Sequence, residues 1–214
     1  MIGIFDTIPQ FTLFVKAKLS FTFSSHCTIM HCEVIYMTEK EVLFELCKNH
    51  GCALNKEIFE QCATFLFYTS WYEELLFNNN RDERHSPEND KKVCETLCDK
   101  YHIDITAYDN FGIYFANRYI KPTGGKTDKF RNLRLNSAYL VFTCLKAFKL
   151  HRDRSSDLLW SYLQIVYRFR NNMFHGSKGL IHLPTYINEF KQINAFMHQF
   201  ISDILNSGYE GFND

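Results

Sequence analysis

The chain has 214 residues, of which 46% are apolar, so it can bury a hydrophobic core without disulfide bonds or a structural metal. Its 24 basic and 24 acidic residues cancel, so any attraction to phosphate must come from local patches rather than from a global positive field. No apolar run reaches the roughly 18 residues that a membrane span needs, and the N-terminus lacks a secretory pattern. The composition therefore predicts a soluble, cytoplasmic protein without membrane association.

The N-terminal segment over residues 1–37 alternates loosely between polar residues and β-branched or aromatic ones, as strands do. We expect a small appendage of uncertain structure there. From Thr38 the apolar period becomes helical, and Thr38 with Glu41 forms a capping box for a helix that ends near residues 50–51. The expected organisation is an appendage over 1–37, a helical domain over 38–206 and a C-terminal tail over 207–214.

The rest of the chain alternates between helical patterns and polar loops. Helices are predicted over 55–78, 88–101, 133–150, 156–174 and 184–205. The tyrosine-rich stretch before Ile120 has no firm assignment, and the polar runs over 78–90 and 121–134 are predicted to be loops. The predicted fold class is mostly α, a helical bundle with an up-and-down core.

The loop over 121–134 contains GGKT at residues 124–127, which imitates the end of a phosphate-binding P-loop. The P-loop pattern requires a glycine where Ile120 stands, and Pro122 interrupts the cradle, so a flexible basic turn is the better interpretation. Its five cations against one acid still allow the loop to follow a nucleic-acid backbone, although a solvated loop explains the same composition. The candidate phosphate-binding side chains here are Lys126, Lys129 and Arg131.

Eight cysteines are scattered along the chain, and we expect most of them to be reduced and to pack as small core residues. Two groups contain zinc-ligand types: HCxxxHC over 26–32, and a four-residue repeat at Cys94, Cys98 and His102. The first does not have the spacing of a common zinc finger, and a helix that buries two cysteines would produce the second. No metal is assigned, and a small helical zinc protein is kept as an alternative interpretation.

The segment YRFRNNMFHGSKG over 167–179 holds the side chains best suited to chemistry. Arg170 offers a planar fork of N–H donors that matches a phosphate, and His175 carries a proton that is labile near neutral pH. Residues 155–157 supply a helix start, an apolar stripe follows, and Gly176 supplies the stop. The polar group therefore falls at a helix end, where an ordinary terminus with capping side chains is the plain alternative.

The string from Arg170 to Gly176 resembles the RX4-6H signature of the HEPN superfamily, the higher eukaryotes and prokaryotes nucleotide-binding domains. Many of its members are RNases of toxin and antiphage systems. Asn171 directly follows the arginine, four residues separate arginine from histidine, and the hydrophobic-His-Gly ending is frequent in prokaryotic members. The helices over 38–206 resemble the family's bundle, whereas Ser177 stands where some toxins carry a tyrosine that a partner enzyme modifies.

The resemblance implies a metal-independent endoribonuclease that needs no cofactor and whose composite site is formed by two protomers of a homodimer. His175 would act as general base or acid, Arg170 would stabilise the phosphate charge, and Asn171 would orient one of them. Besides RNA and a second copy, an antitoxin or another defence protein is an expected partner. The side chains expected to bind the RNA are Arg168, Asn172, Lys178, Lys126, Lys129 and Arg131. The alternative is a non-catalytic HEPN-like scaffold that dimerises or binds a partner protein.

Helix geometry leaves the identity of the catalytic arginine open. At 100° per residue, Arg170 and His175 lie about 140° apart around a regular helix, whereas Arg168 and His175 lie within about 20°. Either the helix unwinds before Gly176 and brings Arg170 to His175, or Arg168 is the nearer partner and Arg170 contacts phosphate from the other protomer. Arg170 is the first choice because the family's polar residue directly follows its arginine.

Overall fold

The computed structural model describes residues 14–24, 27–37, 55–77, 86–174 and 183–209, and the helical backbone of Glu41, Glu45, Lys48 and Asn49. The chain divides into two compact units, Met1–Lys56 and Glu57–Asp214. The predicted boundary between residues 37 and 38 lies within the first unit. The four helical positions lie in the helix predicted after Thr38, but Thr38 itself and residues 50–51 are outside the described residues.

The first unit contains an antiparallel hairpin of two strands, β1 (Phe14–Ser24) and β2 (Cys27–Met37). The register runs from Phe14 opposite Met37 to Ser24 opposite Cys27. The β-branched and aromatic residues that gave the alternating pattern are the types that favour extended backbone. The side chains of the HCxxxHC pattern on and beside β2 lie outside the described residues.

The second unit is helical, and its mostly α class is as predicted. Its described helices are α1 (Lys56–Phe77), α2 (Pro87–Asp99), α3 (Asp109–Tyr119), the single-turn α4 (Asp128–Arg131), α5 (Ala138–His151), α6 (Ser156–Phe174) and α7 (Ile187–Ser207). Short 3-10 helices precede α3 and α7, at Ile105–Tyr108 and Leu183–Tyr186. The predictions for α1, α2, α6 and α7 are confirmed with shifts of at most three residues.

Two stretches differ from the predicted pattern. α5 begins at Ala138 rather than at Leu133, because the chain first turns at Arg134, whose φ of 54° lies in the left-handed region. The unassigned tyrosine-rich stretch forms the first 3-10 helix and α3. Asp104 starts this structure by accepting a hydrogen bond from the Thr106 N–H at 2.9 Å.

The centre of the second unit is α6, which is buried around most of its circumference. Its residues 158–166 are all buried, and they pack against α2 on one side and α5 on another. A helix that its neighbours cover on several sides must be apolar around most of its circumference. The single apolar stripe seen in the sequence therefore accounts for only part of the buried surface of α6. The Tyr162 ring contacts Phe111 of α3 and Phe196 of α7, with centroids 4.8 and 5.8 Å away. An aromatic core thus fixes α6 against its neighbours.

A buried carboxylate joins three helices. Asp90 of α2 is fully buried, and its Oδ1 accepts a hydrogen bond from the Tyr72 hydroxyl of α1 at 3.1 Å. Its Oδ2 accepts from the Gln164 Nε2 of α6 at 2.9 Å. On the same side of α6, the Trp160 Nε1 donates to the Pro87 carbonyl at 2.8 Å. These bonds fix the mutual positions of α1, α2 and α6.

The two ends of α7 are each tied to the segment around α3. At the C-terminal end, the Tyr108 hydroxyl donates to Asp203 Oδ2 at 2.7 Å. At the N-terminal end, Arg118 of α3 forms an ion pair with the buried Glu189. Both bonds connect positions remote in sequence, so they hold α7 alongside α3.

Gly112 is required by the close approach of α3 to α5 and α6. A Cβ at this position would overlap the Tyr162 hydroxyl and lie 2.7 Å from Phe148 Cε1. We expect Gly112→Ala to lower the free energy of unfolding by about 1–3 kcal/mol, because the surrounding rings are fully buried and cannot move aside freely. Chemical denaturation followed by circular dichroism measures this loss. Unchanged stability would show that the rings repack at no cost.

Candidate functional site

The last turn of α6 carries the polar residues of the motif and directs them toward different neighbours. Arg170 Nη2 lies 3.2 Å from Glu73 Oε2 of α1, and both side chains are about one third exposed. Arg168 Nε instead donates a hydrogen bond to the Leu133 carbonyl, which follows α4. The two candidate arginines are therefore anchored to different elements of the bundle.

A cavity of about 730 Å³ opens beside this turn, between α3, α4, α6 and α7. Asn172 of the motif is one of its lining residues, and α6 also contributes Phe169 and Met173. The other described lining residues are Tyr114, Arg118, Tyr119, Lys129, Asn132, Leu133, Leu183, Thr185, Tyr186, Asn188, Glu189 and Phe190. This volume falls within the range of roughly 300–1,000 Å³ that small-molecule sites have.

The cavity is lined by apolar side chains in its interior and by polar side chains at its rim. The buried lining side chains include Tyr119, Leu133, Phe169 and Phe190. The Phe169 ring meets Tyr186 and Phe190 nearly edge-on, at centroid distances of 6.0 and 6.2 Å. The exposed lining residues are Lys129, Asn132, Thr185 and Asn188. An aromatic interior with amide and ammonium groups at the rim suits a planar ring that bears an anionic or hydroxylated substituent.

One ion pair contributes to the lining. Glu189 is 1% exposed, and the Arg118 guanidinium beside it balances its charge. Burial raises the pKa of the neighbouring Tyr119 hydroxyl, although the positive charge of Arg118 acts in the opposite direction. Tyr119 is therefore neutral at physiological pH. Because the charges of Arg118 and Glu189 cancel, Lys129 gives the described lining a net positive charge.

Other predicted side chains lie apart from this cavity. Lys126 Nζ lies over the rings of Phe130 and Phe142, 5.6 and 5.1 Å from their centroids. Arg131 pairs with Asp128 at 2.8 Å on an exposed surface. Asn171 is partly buried and is not among the described lining residues. The structure brings Asn172 and Lys129 together around one cavity and leaves Lys126 and Arg131 outside its lining.

His175 and Lys178 lie outside the described residues. The α6 helix continues through Phe174, so any unwinding that brings Arg170 toward His175 would have to begin after that residue. The choice between Arg168 and Arg170 as the partner of His175, based on their angles around the helix, consequently stays a prediction. What the structure adds is the set of contacts that hold each arginine.

The GGKT segment forms a turn rather than the start of a long helix. The Lys121 N–H donates to the Gly125 carbonyl at 2.8 Å, and Gly124 has a φ of 81°. Thr127 then caps α4, which is four residues long. A phosphate cradle needs the N-terminus of a longer helix behind its glycines, so this geometry agrees with the basic-turn interpretation.

The described cysteines behave as core thiols. Burial raises the pKa of Cys62 and of Cys98 to about 11 and that of Cys94 well above its usual range. Such thiols stay protonated near neutral pH and are poor nucleophiles. Within the described ranges, no three or more His, Cys, Asp or Glu side chains are grouped to hold a metal ion, and this covers Cys94, Cys98 and His102.

No protein-family model, curated protein or solved structure matches the chain. Helices long and apolar enough to cross a membrane are lacking in the part of the chain that the structure describes. Sequence reasoning missed most of the cavity, above all Arg118, Glu189, Tyr114 and Tyr186. These residues lie on elements far apart along the chain, and no local motif connects them.

Proposed function

We propose that the protein is a metal-independent endoribonuclease of the HEPN type that acts on RNA as a homodimer, in toxin or antiphage defence. The observation that carries the proposal is the position of Asn172, which belongs to the motif and also lines a cavity with Lys129 at its rim. The motif and a concave polar surface therefore meet at Asn172, whereas Arg170 contacts Glu73 of α1 on another face of α6. The sequence motif supplies the chemistry, and the cavity supplies a place for substrate.

The chemistry uses the nucleophile that RNA already carries. A general base removes the proton of the 2′-hydroxyl, and the 2′-oxygen attacks the adjacent phosphorus while the bond to the 5′-oxygen breaks. A general acid returns a proton to that 5′-oxygen, so the products end in a 2′,3′-cyclic phosphate and a 5′-hydroxyl. We assign proton transfer to His175, charge stabilisation to Arg170 and orientation to Asn171.

The ion pair between Arg170 and Glu73 has a defined part in this proposal. Arginine has five N–H donors in a rigid fork, so a carboxylate can hold one edge while another edge binds phosphate. Glu73 lies on α1, 97 positions earlier in the chain, and serves here as a positioning residue for the guanidinium. Arg168, with its Nε bonded to a backbone carbonyl, remains the second choice for the same role.

The direct test is to incubate the purified wild-type protein with tRNA, mRNA and rRNA in excess EDTA. We expect cleavage that leaves 2′,3′-cyclic phosphate and 5′-hydroxyl ends, because no metal takes part in the proposed steps. Mass spectrometry of the fragments identifies the ends. Cleavage that stops on chelation, or products with a 5′-phosphate, would overturn the proposal.

The second candidate is a non-catalytic scaffold that dimerises or binds a partner protein through aromatic surface. Its support is Phe67 of α1, which is 60% exposed and contacts the Trp71 ring at a centroid distance of 5.6 Å. Large exposed aromatics are typical of interaction surfaces. The same RNA assay separates the two functions, because a scaffold leaves every RNA intact.

A further inference from the structure

The ion pair in the cavity has a chemical character that the proposed cleavage does not use. Arg118 offers donors and Glu189 offers acceptors, and both residues line a space that also has aromatic walls. Glu189 is almost fully buried, whereas the Arg118 side chain is 18% exposed. Besides holding α7 alongside α3, the pair places donor and acceptor groups side by side in the cavity wall.

We propose that this cavity is a guanine-selective nucleotide subsite, in which the Arg118 and Glu189 pair reads the edge of the base. The inference rests on the proposed endoribonuclease function and adds the base specificity of its substrate. The ligand chemistry is one guanosine monophosphate unit, supplied either by single-stranded RNA or by a free nucleotide. RNA is the source we assign, because the cavity adjoins the motif.

The shape of the cavity suits a single nucleotide. Single-stranded RNA is commonly recognised by bases that are splayed out and stacked on aromatic side chains. Tyr114 and Tyr186 are partly exposed lining residues, and Phe169 and Phe190 lie deeper. The volume of about 730 Å³ accommodates a purine with its ribose.

The hydrogen-bonding groups of the pair match guanine better than the other bases. On its Watson–Crick edge guanine presents two adjacent N–H groups and, next to them, the O6 acceptor. An ionised carboxylate accepts hydrogen bonds only, and a guanidinium donates them only. Glu189 Oε1 is buried against Arg118, so the other oxygen, Oε2, can accept from N1 and N2 while Arg118 donates to O6. Each of the other three bases offers a single donor group on that edge, so the carboxylate gains less.

The rim supplies partners for the rest of the nucleotide. Lys129 is exposed and can pair with a phosphate, and Asn132 and Asn188 can bond to ribose hydroxyls. Asn172 of the motif lines the same cavity, whereas Arg170 contacts Glu73 of α1 on another face of α6. A base held here contacts the motif through Asn172, so we expect a guanine near the cleavage site.

The test begins with wild-type full-length protein and the four nucleoside 5′-monophosphates, with affinities measured by isothermal titration calorimetry. We expect GMP to bind about ten-fold more tightly than AMP, CMP or UMP, the discrimination typical of a bidentate base contact. Equal affinity for the four nucleotides, or binding of none, would overturn the inference.

Two variants locate the contact. Glu189→Gln should reduce GMP affinity about ten-fold and leave AMP affinity unchanged, because it removes one acceptor from the base edge. Asn188→Trp, at an exposed rim position where folding is less at risk, should block all four nucleotides. The matched control is Glu57→Gln, which removes an acid paired with Lys191 on an exposed surface. A folded Glu189→Gln protein that keeps its guanine preference would contradict the assignment.

A competition arm distinguishes the two ligand sources. A tetranucleotide with one guanine should displace bound GMP, whereas the same length without guanine should not. Failure of the guanine-containing RNA to compete would overturn the assignment of RNA as the source. These are binding measurements, so they stay informative if the protein proves not to cleave RNA. Loss of cleavage and loss of guanine preference are thus separately observable.

Discussion

His175→Ala and Arg170→Ala should each reduce RNA cleavage in EDTA by about 10²–10⁴-fold, which is the usual contribution of a general acid or base and of a group that stabilises transition-state charge. The histidine variant loses the proton carrier of the motif. The arginine variant loses the cation that Glu73 holds at the end of α6. Initial rates on a fluorescent RNA measure both effects.

The matched control for the histidine is His151→Ala, an exposed residue at the end of α5. It should cleave like the wild type. Circular dichroism and size-exclusion chromatography should show the same fold and oligomer for every variant. Full activity in both the His175 and Arg170 variants would exclude the motif as the catalytic centre.

The same assay on Arg168→Ala decides between the two arginines. If Arg170 is catalytic, Arg168→Ala should lower the rate less, through a weaker contact with the loop at Leu133. A larger loss for Arg168 than for Arg170 would transfer the role to Arg168. Toxicity on expression that disappears with His175→Ala would indicate that the motif is also catalytic in cells.

Asp90→Ala should lower the free energy of unfolding by about 2–5 kcal/mol, because it leaves the Tyr72 hydroxyl and the Gln164 amide without the acceptor that both use inside the protein. Each unsatisfied buried donor costs about 1–3 kcal/mol. The removed side chain also leaves a small space among α1, α2 and α6. Urea denaturation followed by circular dichroism measures the change.

Asp99→Ala is the matched control, since Asp99 is an exposed acid on the same helix. Its effect should stay within about 0.5 kcal/mol. Adding Tyr72→Phe to Asp90→Ala should recover part of the loss, because the second change removes one of the unsatisfied donors. Equal stability of the Asp90 and Asp99 variants would show that Asp90 does not join the three helices energetically.

The α6 helix illustrates what the sequence could predict. Polar residues at 155–157, an apolar stripe and the motif at its end gave its bounds, and the structure places it over Ser156–Phe174. Its neighbour α3 could not be predicted so directly. Gly112 and closely spaced aromatic residues hide its period, and the packing against Tyr162 and Phe148 explains the glycine.

From the sequence, only those residues of the candidate site that belong to a local motif or loop could be predicted. Asn172 and Lys129 were chosen from a motif and from a basic loop, and both line the cavity. Glu73 and Glu189 were not chosen, because their arginine partners lie 97 and 71 positions away and no spacing rule connects them. Side chains that meet only through tertiary packing require the structure.

The two attachments of α7 have a mechanical consequence. Glu189 and Asp203 are separated by fourteen residues, or roughly 21 Å of helix, and each is bonded to the segment around α3. Because α7 is held at these two points, it cannot slide along its axis or rotate about either contact. The wall that α7 contributes to the cavity is thus held in one position, so a ligand that fits it would bind with little cost for rearrangement.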